Sequence, residues 1–462
     1  LGITVLGDYI LSEGPDPIIE NLLRAGATAV ACNPTVTAPG DESTGSFQPP
    51  VDAGSSPRLF DRPLFGKRSL WVRSGVSYYP RQEFYQDSAY PARKPNDLTD
   101  RSGAVIGEFI SKAVEAGLQV YLQVGAVQPS GLRDEDKPRL PDGSIPAGRM
   151  ASTGSLASEA VRSFNRAYVR DLLHEYPQVH GFRPDWPEYP CYTLGEVFQD
   201  FGDHVARWAG LHGFDFESIR KAVASLYDLL LGRHPDQKLT NSDFEQTFSL
   251  ETVTEGVRQW LRLKAALSVD LLNDWRNIIA AASDGRGELS ANAFMTPYSF
   301  ATGFDFSGAA DVCDAVSPKF YTMHWSLMVR FWAEPILHNN PQLDEKTVVD
   351  CLVRMMDIGD GQSGKTLSDY GYPAPDEPHP IPDGPQLRKL AQVADEVRDA
   401  AQVIPLVHGY GPLDDFYRRL KLVGQNEAVS GLWINRYGYL GADKLEAIRQ
   451  IAAGGSLEEM SE

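Results

Sequence analysis

The chain has 462 residues, with 42% hydrophobic and 23% charged side chains, enough to bury a large core. Lysine and arginine total 43 against 62 acidic residues, a net charge of -19 that disfavours nucleic acid and anionic membranes as partners. No apolar run reaches the ~18 residues of a membrane span, and the first residues carry no basic and apolar leader, so the compartment stays open. Cys32, Cys191, Cys313 and Cys351 are far apart and have no metal-binding spacing; buried thiols are expected, with a single disulfide as the alternative.

Short apolar runs alternate with amphipathic stretches along the whole chain, which predicts parallel β/α units. The first run is 3–9 (ITVLGDY), followed by a helix with Pro17 near its start and Gly26 past its end. The second is 28–33 (TAVACN). A Pro-, Gly- and Ser-rich excursion over 34–96 contains an extra strand at 69–79, and a helix over 102–116 stops at Gly117. The third run, 118–124 (LQVYLQV), leads through a loop to a helix over 158–175. The fourth is 178–183, before a helical insertion over 194–282. The last helix of that insertion, 252–282, places Val257, Trp260, Leu261, Ala265 and Leu267 broadly on one face. The fifth run is 288–294 (ELSANAF) and the sixth 315–322 (AVSPKFYT), followed by a helical stretch over 325–356. After a loop at 359–385 and a helix over 386–402 comes the seventh, 403–408 (VIPLVH). A helix over 413–423 precedes the eighth, 429–435 (VSGLWIN), and a helix over 442–453 closes the count.

Eight strands with their crossovers predict an α/β fold, a single (β/α)8 TIM barrel spanning 1–462, with the excursions as loop insertions. A doubly wound open sheet is the alternative, but GDYILSEG after the first strand is a poor phosphate loop.

In such a barrel the chemistry belongs to the C-terminal strand ends. Those positions hold Asp8, Asn33, Gln123, Arg183, Asp185, Trp186, Glu188, Tyr189, Asn292, Tyr321, His324, Trp325, His408, Tyr410, Asn435 and Arg436. Aromatic faces beside planar polar groups suit a polyhydroxylated ligand, although each ring taken singly also reads as packing over the barrel. Asp185 and Glu188 are the expected catalytic pair. Trp186 and Tyr189 can desolvate a carboxyl and raise its pKa, while Arg183 can pair with Asp185. One carboxyl protonated beside one ionised is what glycosidic cleavage requires. The plain alternative is an Arg183–Asp185 salt bridge with a solvated Glu188.

The run HGFRPDWPEYP, 180–190, resembles the fourth strand of several barrel glycoside hydrolases. GFRPD is similar to the Gly-Phe-Arg-x-Asp of the alpha-amylase family, which implies a nucleophilic Asp185. DWPEYP is similar to the Asp-Trp-Glu-Tyr-Pro of family 18 chitinases, which implies a proton-donating Glu188. Gly181, Asp185, Tyr189 and Pro190 resemble the Gly-x-x-x-Asp-x-x-x-Tyr-Pro of uncharacterised hydrolase-like barrels related to family 10, and AVSPKFYT also looks like that group. The chain departs from chitinases by the extra Pro187 and by His180 and Arg183 at acidic positions. It departs from alpha-amylases by Asn292 and His408 where carboxylates stand, and from the Glu–Glu barrels by Pro187 in place of Asn and a seventh strand without Glu.

A second carboxylate is sought among Asp8, Asp305, Glu334, Asp414 and Asp415; without one, a sugar N-acetyl group is the remaining assistant. The expected function is a glycoside hydrolase acting on a carbohydrate substrate, with no cofactor and no metal; assembly with further copies of the chain is left open. A non-catalytic carbohydrate-binding barrel is one alternative. A metal-dependent barrel using His324, His408 and Asp185 is another, although their spacing has no metal signature.

Overall fold

A computed structural model of the chain describes residues 1–50, 58–234, 237–247, 253–360 and 366–454. Eight parallel strands close on one another in chain order. They are Gly2–Thr4, Ala29–Cys32, Gln119–Gly125, Gly181–Asp185, Glu288–Phe294, Ala315–Phe320, Leu406–His408 and Trp433–Asn435, and the last pairs with the first. A short parallel segment, Gln402–Val403, adds to the sixth strand before Pro405 breaks the seventh. The fold is therefore the (β/α)8 barrel that the alternation predicts.

The strand register sorts residues between two surfaces, because alternate side chains point to opposite faces. Val30, Val120, Leu122, Phe182, Leu289, Val316, Phe320, Val407 and Ile434 belong to the large core under the helices. The opposite parity carries a small separate cluster of Ala29, Ala31, Tyr121, Leu406 and Trp433, together with nearly every polar residue of the strands. Trp433 plugs this interior. A Cβ at Gly2 would lie 2.2 Å from its ring, so the first strand needs glycine there.

Several elements differ from the sequence reading. The first strand stops at Thr4, and a helix, Gly7–Glu13, starts where more strand was expected. Asn33 Oδ1 accepts from Gly7 N at 3.0 Å, and a Cβ at Gly7 would lie 1.8 Å from Thr35 O. The turn is thus fixed by contacts from the second strand's loop. The excursion folds as an antiparallel sheet of Thr35–Pro39, Leu70–Val76 and Ser46–Gln48, of which only the middle strand was legible. The helical stretch expected after the sixth strand resolves into two helices, Thr322–Asn339 and Glu345–Met355. The eighth strand is shorter than expected, at Trp433–Asn435.

The insertion after the fourth strand includes the helices Leu194–Val197, Asp203–Leu211, Phe216–Leu230 and Asn241–Thr247. It ends in the 28-residue helix Glu255–Ala282, which packs on Glu159–Glu175 and on the fifth strand and so serves as the barrel's own crossover helix. The expected start of this helix at residue 252 lies outside the described residues. All four cysteines are buried free thiols, as expected. Among the described residues, no helix is long and apolar enough to cross a membrane.

Candidate active site

The fourth strand delivers Arg183 and Asp185 to the barrel interior at successive inward positions. Arg183 is fully buried and does not pair with Asp185 as expected. Its Nη1 donates to Ser290 Oγ at 3.1 Å and Ser317 Oγ at 3.2 Å, and its Nη2 donates to Asn292 Oδ1 at 2.7 Å. The guanidinium lies 3.9 Å from the centroid of the Trp433 ring, a desolvated cation–π contact. Burial pulls its pKa down to about 9. No carboxylate is among these contacts, so Arg183 braces the fourth, fifth, sixth and eighth strands from inside.

Asp185 is paired instead with Lys319. Nζ of this lysine lies 2.8 Å from Asp185 Oδ1, although the two are poorly aligned for a hydrogen bond. The strands concerned are separated by the fifth, so the pair meets across the interior. The same ammonium sits 3.8 Å from the centroid of the Trp186 ring and 5.2 Å from that of Phe294. The lysine side chain is 2% exposed and the aspartate 27%, so a buried cation holds a carboxylate that faces the mouth. The sequence signal for Lys319 was a charge in AVSPKFYT two residues after Ser317, hence on the same inward face.

Trp186 has φ +63, costly for a non-glycine residue. The next residues hold it there. Glu188 Oε1 accepts from Phe294 N at 2.7 Å, and its Oε2 accepts from the Thr302 hydroxyl. Ser268 Oγ donates to Pro187 O at 2.8 Å, and Tyr189 N donates to Thr302 O at 3.1 Å. Glu188 has no exposure, and burial is the main force raising its pKa to about 7, against the opposing pull of Lys319 and these donors. A raised carboxyl was expected at this strand end. The structure puts it inside the loop rather than at the solvent-facing surface.

The remaining expected residues fall into three groups. Gln123 and Asn292 stand on the strands flanking Asp185, and Gln123 Oε1 and Asn292 Nδ2 are buried without a hydrogen-bond partner. Tyr321, His324 and His408 join them at the mouth. The Tyr321 ring lies edge-on to both histidines, and Tyr192 Oη is 3.0 Å from His324 Nδ1. His408 Nδ1 accepts from Tyr410 N at 3.0 Å, which leaves the proton of the neutral ring on Nε2; burial drives its pKa well below the usual histidine range. Asn435 Nδ2 donates to Tyr321 Oη at 2.8 Å, while Thr4 Oγ1 donates to Asn435 Oδ1 at 2.7 Å.

A second group closes the side of the first and eighth strands. Arg436 Nη2 donates to Asp8 Oδ2 at 3.0 Å and to Gln48 Oε1 at 2.9 Å, and Asp8 Oδ1 accepts from Tyr9 N at 2.8 Å. Asn33 is the acceptor for Gly7 already described. The third group is packed inside. Tyr189 bonds Asp200 Oδ2 at 3.2 Å, Trp325 lies against Phe320 and Tyr298, and Tyr410 donates to Pro373 O at 2.9 Å. Tyr372 is a mouth aromatic that the sequence reading passed over; its ring is 5.7 Å from His324.

Of the other carboxylates considered, Asp305 caps the helix Phe306–Ala310, Glu334 pairs with Arg330 on the surface, and Asp415 is held by Arg418 and Arg419. Asp414 sits in the first turn of the helix Leu413–Gly424. Among the described residues, no group of three or more His, Cys, Asp or Glu side chains is placed to hold a metal ion.

No family model and no curated protein matches this chain. Among solved structures it is similar to a β-galactosidase from the psychrophilic Marinomonas ef1, at a TM-score of 0.51 and 10% identity over 99% of this chain and 61% of that one. The catalytic domain of a β-amylase from Paenibacillus polymyxa aligns at a TM-score of 0.48 and 9% identity over 98% of each chain. An endo-1,4-β-mannanase from Rhizomucor miehei aligns at a TM-score of 0.41 and 10% identity, over 97% of this chain and 93% of that one. This chain thus spans less than two thirds of the β-galactosidase. The likeness is one of fold, and the class it defines is a (β/α)8 barrel.

Proposed function

We propose that this barrel cleaves a glycosidic bond at its C-terminal mouth, with Asp185 as the reacting carboxylate. The observation that carries this reading is the setting of Asp185. It is partly exposed and backed by buried Lys319, and it is flanked by one unused acceptor, Gln123 Oε1, and one unused donor, Asn292 Nδ2. Trp186, Tyr321 and Tyr372 supply faces for sugar C–H groups. Glu188 is assigned a positioning role, because its oxygens are taken by Phe294 N and Thr302 and it has no exposure. The glycoside-hydrolase barrels among the fold's likenesses support the class.

The test is reducing-sugar release from a panel of aryl glycosides and oligosaccharides. Wild type turns over at least one of them, and Asp185→Asn retains binding but loses turnover. Equal turnover in the variant overturns the role of Asp185. Glu188→Gln separates positioning from proton donation: a positioning role changes KM and stability more than kcat, whereas a proton donor loses kcat. The sealed state of Glu188 also favours a second reading, a carbohydrate-binding barrel without hydrolysis. In that case wild type binds glycan and releases nothing, and Asp185→Asn binds as wild type does.

A further inference from the structure

Lys264, Lys319, Lys389 and Lys444 are all buried, and a buried ammonium must be matched to offset its lost hydration. Backbone carbonyls do this for all but one of them. Lys264 Nζ donates to Val197 O and Ala301 O, and Lys389 Nζ to Met356 O at 2.6 Å. Lys444 Nζ donates to Gly409 O at 2.8 Å and Gly411 O at 2.6 Å, and pairs with Asp61. Each of these lysines ties chain segments together and so holds the fold. Lys319 is different. Among the described residues its Nζ makes no hydrogen bond. It faces the Trp186 ring at 3.8 Å, the Phe294 ring at 5.2 Å and one oxygen of Asp185 at 2.8 Å.

Stability does not account for such a lysine. An apolar side chain of the same length would pack on both rings without the desolvation cost, and exchanges of that kind are often neutral or stabilising. The rings serve the charge instead, because a ring face compensates a cation for lost water. Trp186 lies over the ammonium while its backbone holds φ +63, a costly conformation of the kind that collects at functional sites.

The ammonium also makes the two oxygens of Asp185 unequal. Oδ1, 2.8 Å from Nζ, is buried, whereas the side chain as a whole is 27% exposed. Oδ2 is therefore the oxygen presented to the mouth. The terminal torsion of an aspartate is broad, so an unheld carboxylate samples many orientations. Lys319 restricts it by charge, and because Asp185 and Lys319 stand on the fourth and sixth strands, the barrel frame sets where Oδ2 lies.

We propose that Lys319 is a positioning residue for the reaction at the mouth: its ammonium holds Oδ1 of Asp185 so that Oδ2 alone meets the sugar. It acts on the substrate only through that carboxylate. This assignment rests on the reading of Asp185 as the reacting group.

The experiment is steady-state kinetics of the full chain on the 4-nitrophenyl glycoside that wild type cleaves fastest. Lys319→Met, which keeps the length of the side chain and removes the charge, should lower kcat by about 10- to 100-fold and leave KM within about threefold, since only the geometry of the reacting group is disturbed. Its melting curve should match wild type. Lys319→Arg, which keeps the charge, should lose less of kcat than Lys319→Met. The deciding measurement is the double variant. A residue that works through Asp185 has nothing left to position once that carboxylate is gone, so Asp185→Asn/Lys319→Met should turn over as slowly as Asp185→Asn alone, within about twofold. A further loss in the double variant, or an unchanged kcat in Lys319→Met, overturns the role of Lys319 while leaving that of Asp185 standing. Absence of wild-type turnover on every glycoside of the panel overturns the reading of the mouth and the role of Lys319 with it. Lys319→Gln repeats the comparison if Lys319→Met fails to fold.

Discussion

Two carboxylates stand at the rim of the barrel, each beside a cation, and they differ in what surrounds them. Asp8 and Arg436, from the ends of the first and eighth strands, have side chains 4% and 11% exposed, and both oxygens of Asp8 are occupied by Tyr9 N and Arg436. Asp185 and Lys319 meet across the interior, with the lysine sealed beneath Trp186 and the aspartate 27% exposed. The same pair chemistry thus gives a closed clasp on one side and an open carboxylate on the other. Exposure and unused neighbours, rather than residue type, separate a structural pair from a candidate reacting one.

The sharpest way to break this contrast is to neutralise each carboxylate. Asp185→Asn is expected to lower kcat by about 10³-fold, equivalent to ~4 kcal/mol of transition-state stabilisation, with little change in a thermal melt. A variant of unchanged rate would make the two pairs equivalent. Asp8→Ala should do the reverse, costing about 3 kcal/mol in urea unfolding because it strands a mostly buried arginine.

The cations sharpen the contrast further. Arg436→Met should also cost about 3 kcal/mol, since it leaves Asp8 sealed and unpaired, whereas Lys319→Met should cost under about 1 kcal/mol because Asp185 can be hydrated. Equal losses in urea unfolding would show that exposure is not what distinguishes the pairs.

Glu188 gives a smaller, pH-dependent effect. Its folded pKa of about 7 lies above its ordinary 4.5, so between those values the folded state holds more proton than the unfolded one. Its contribution to stability is therefore fully present below pH 4.5 and is lost as pH rises towards 7. Denaturant midpoints at pH 5 and pH 7 should show this loss in wild type, and Glu188→Gln should flatten it. The smallest effect is expected at Asn33→Ala, which removes the acceptor of Gly7 N and should cost about 1 kcal/mol in the same assay. That loss measures how much the first turn, and hence Asp8, depends on the second strand's loop.

The mouth was partly legible because barrel order places strand ends together. Asp185, Gln123, Asn292, Tyr321, His324 and His408 were all reached by that rule, and the structure gathers them. The rule does not report burial or partner. It gave Asp185 the nearest arginine in sequence, yet Arg183 points deeper and reaches Ser290, Ser317, Asn292 and Trp433. It counted Tyr189, Trp325 and Tyr410 among the lining, whereas Asp200, Tyr298 and Pro373 hold them inside. The short strands of the excursion escaped because Ser46–Gln48 exists only through its pairing with Leu70–Val76.

By itself, the sequence determined the alternation of eight strands and their helices, because hydrophobic period, prolines and glycines act within a few residues of one another. It also marked the fourth strand end, where a Trp, a Tyr and two carboxyls crowd into ten residues. Only the tertiary structure decided which carboxyl faces solvent, and that its cation comes from Lys319 more than a hundred residues away. Those facts depend on barrel closure and on what each loop covers. They are set by distances and desolvation across the interior, which no local pattern encodes.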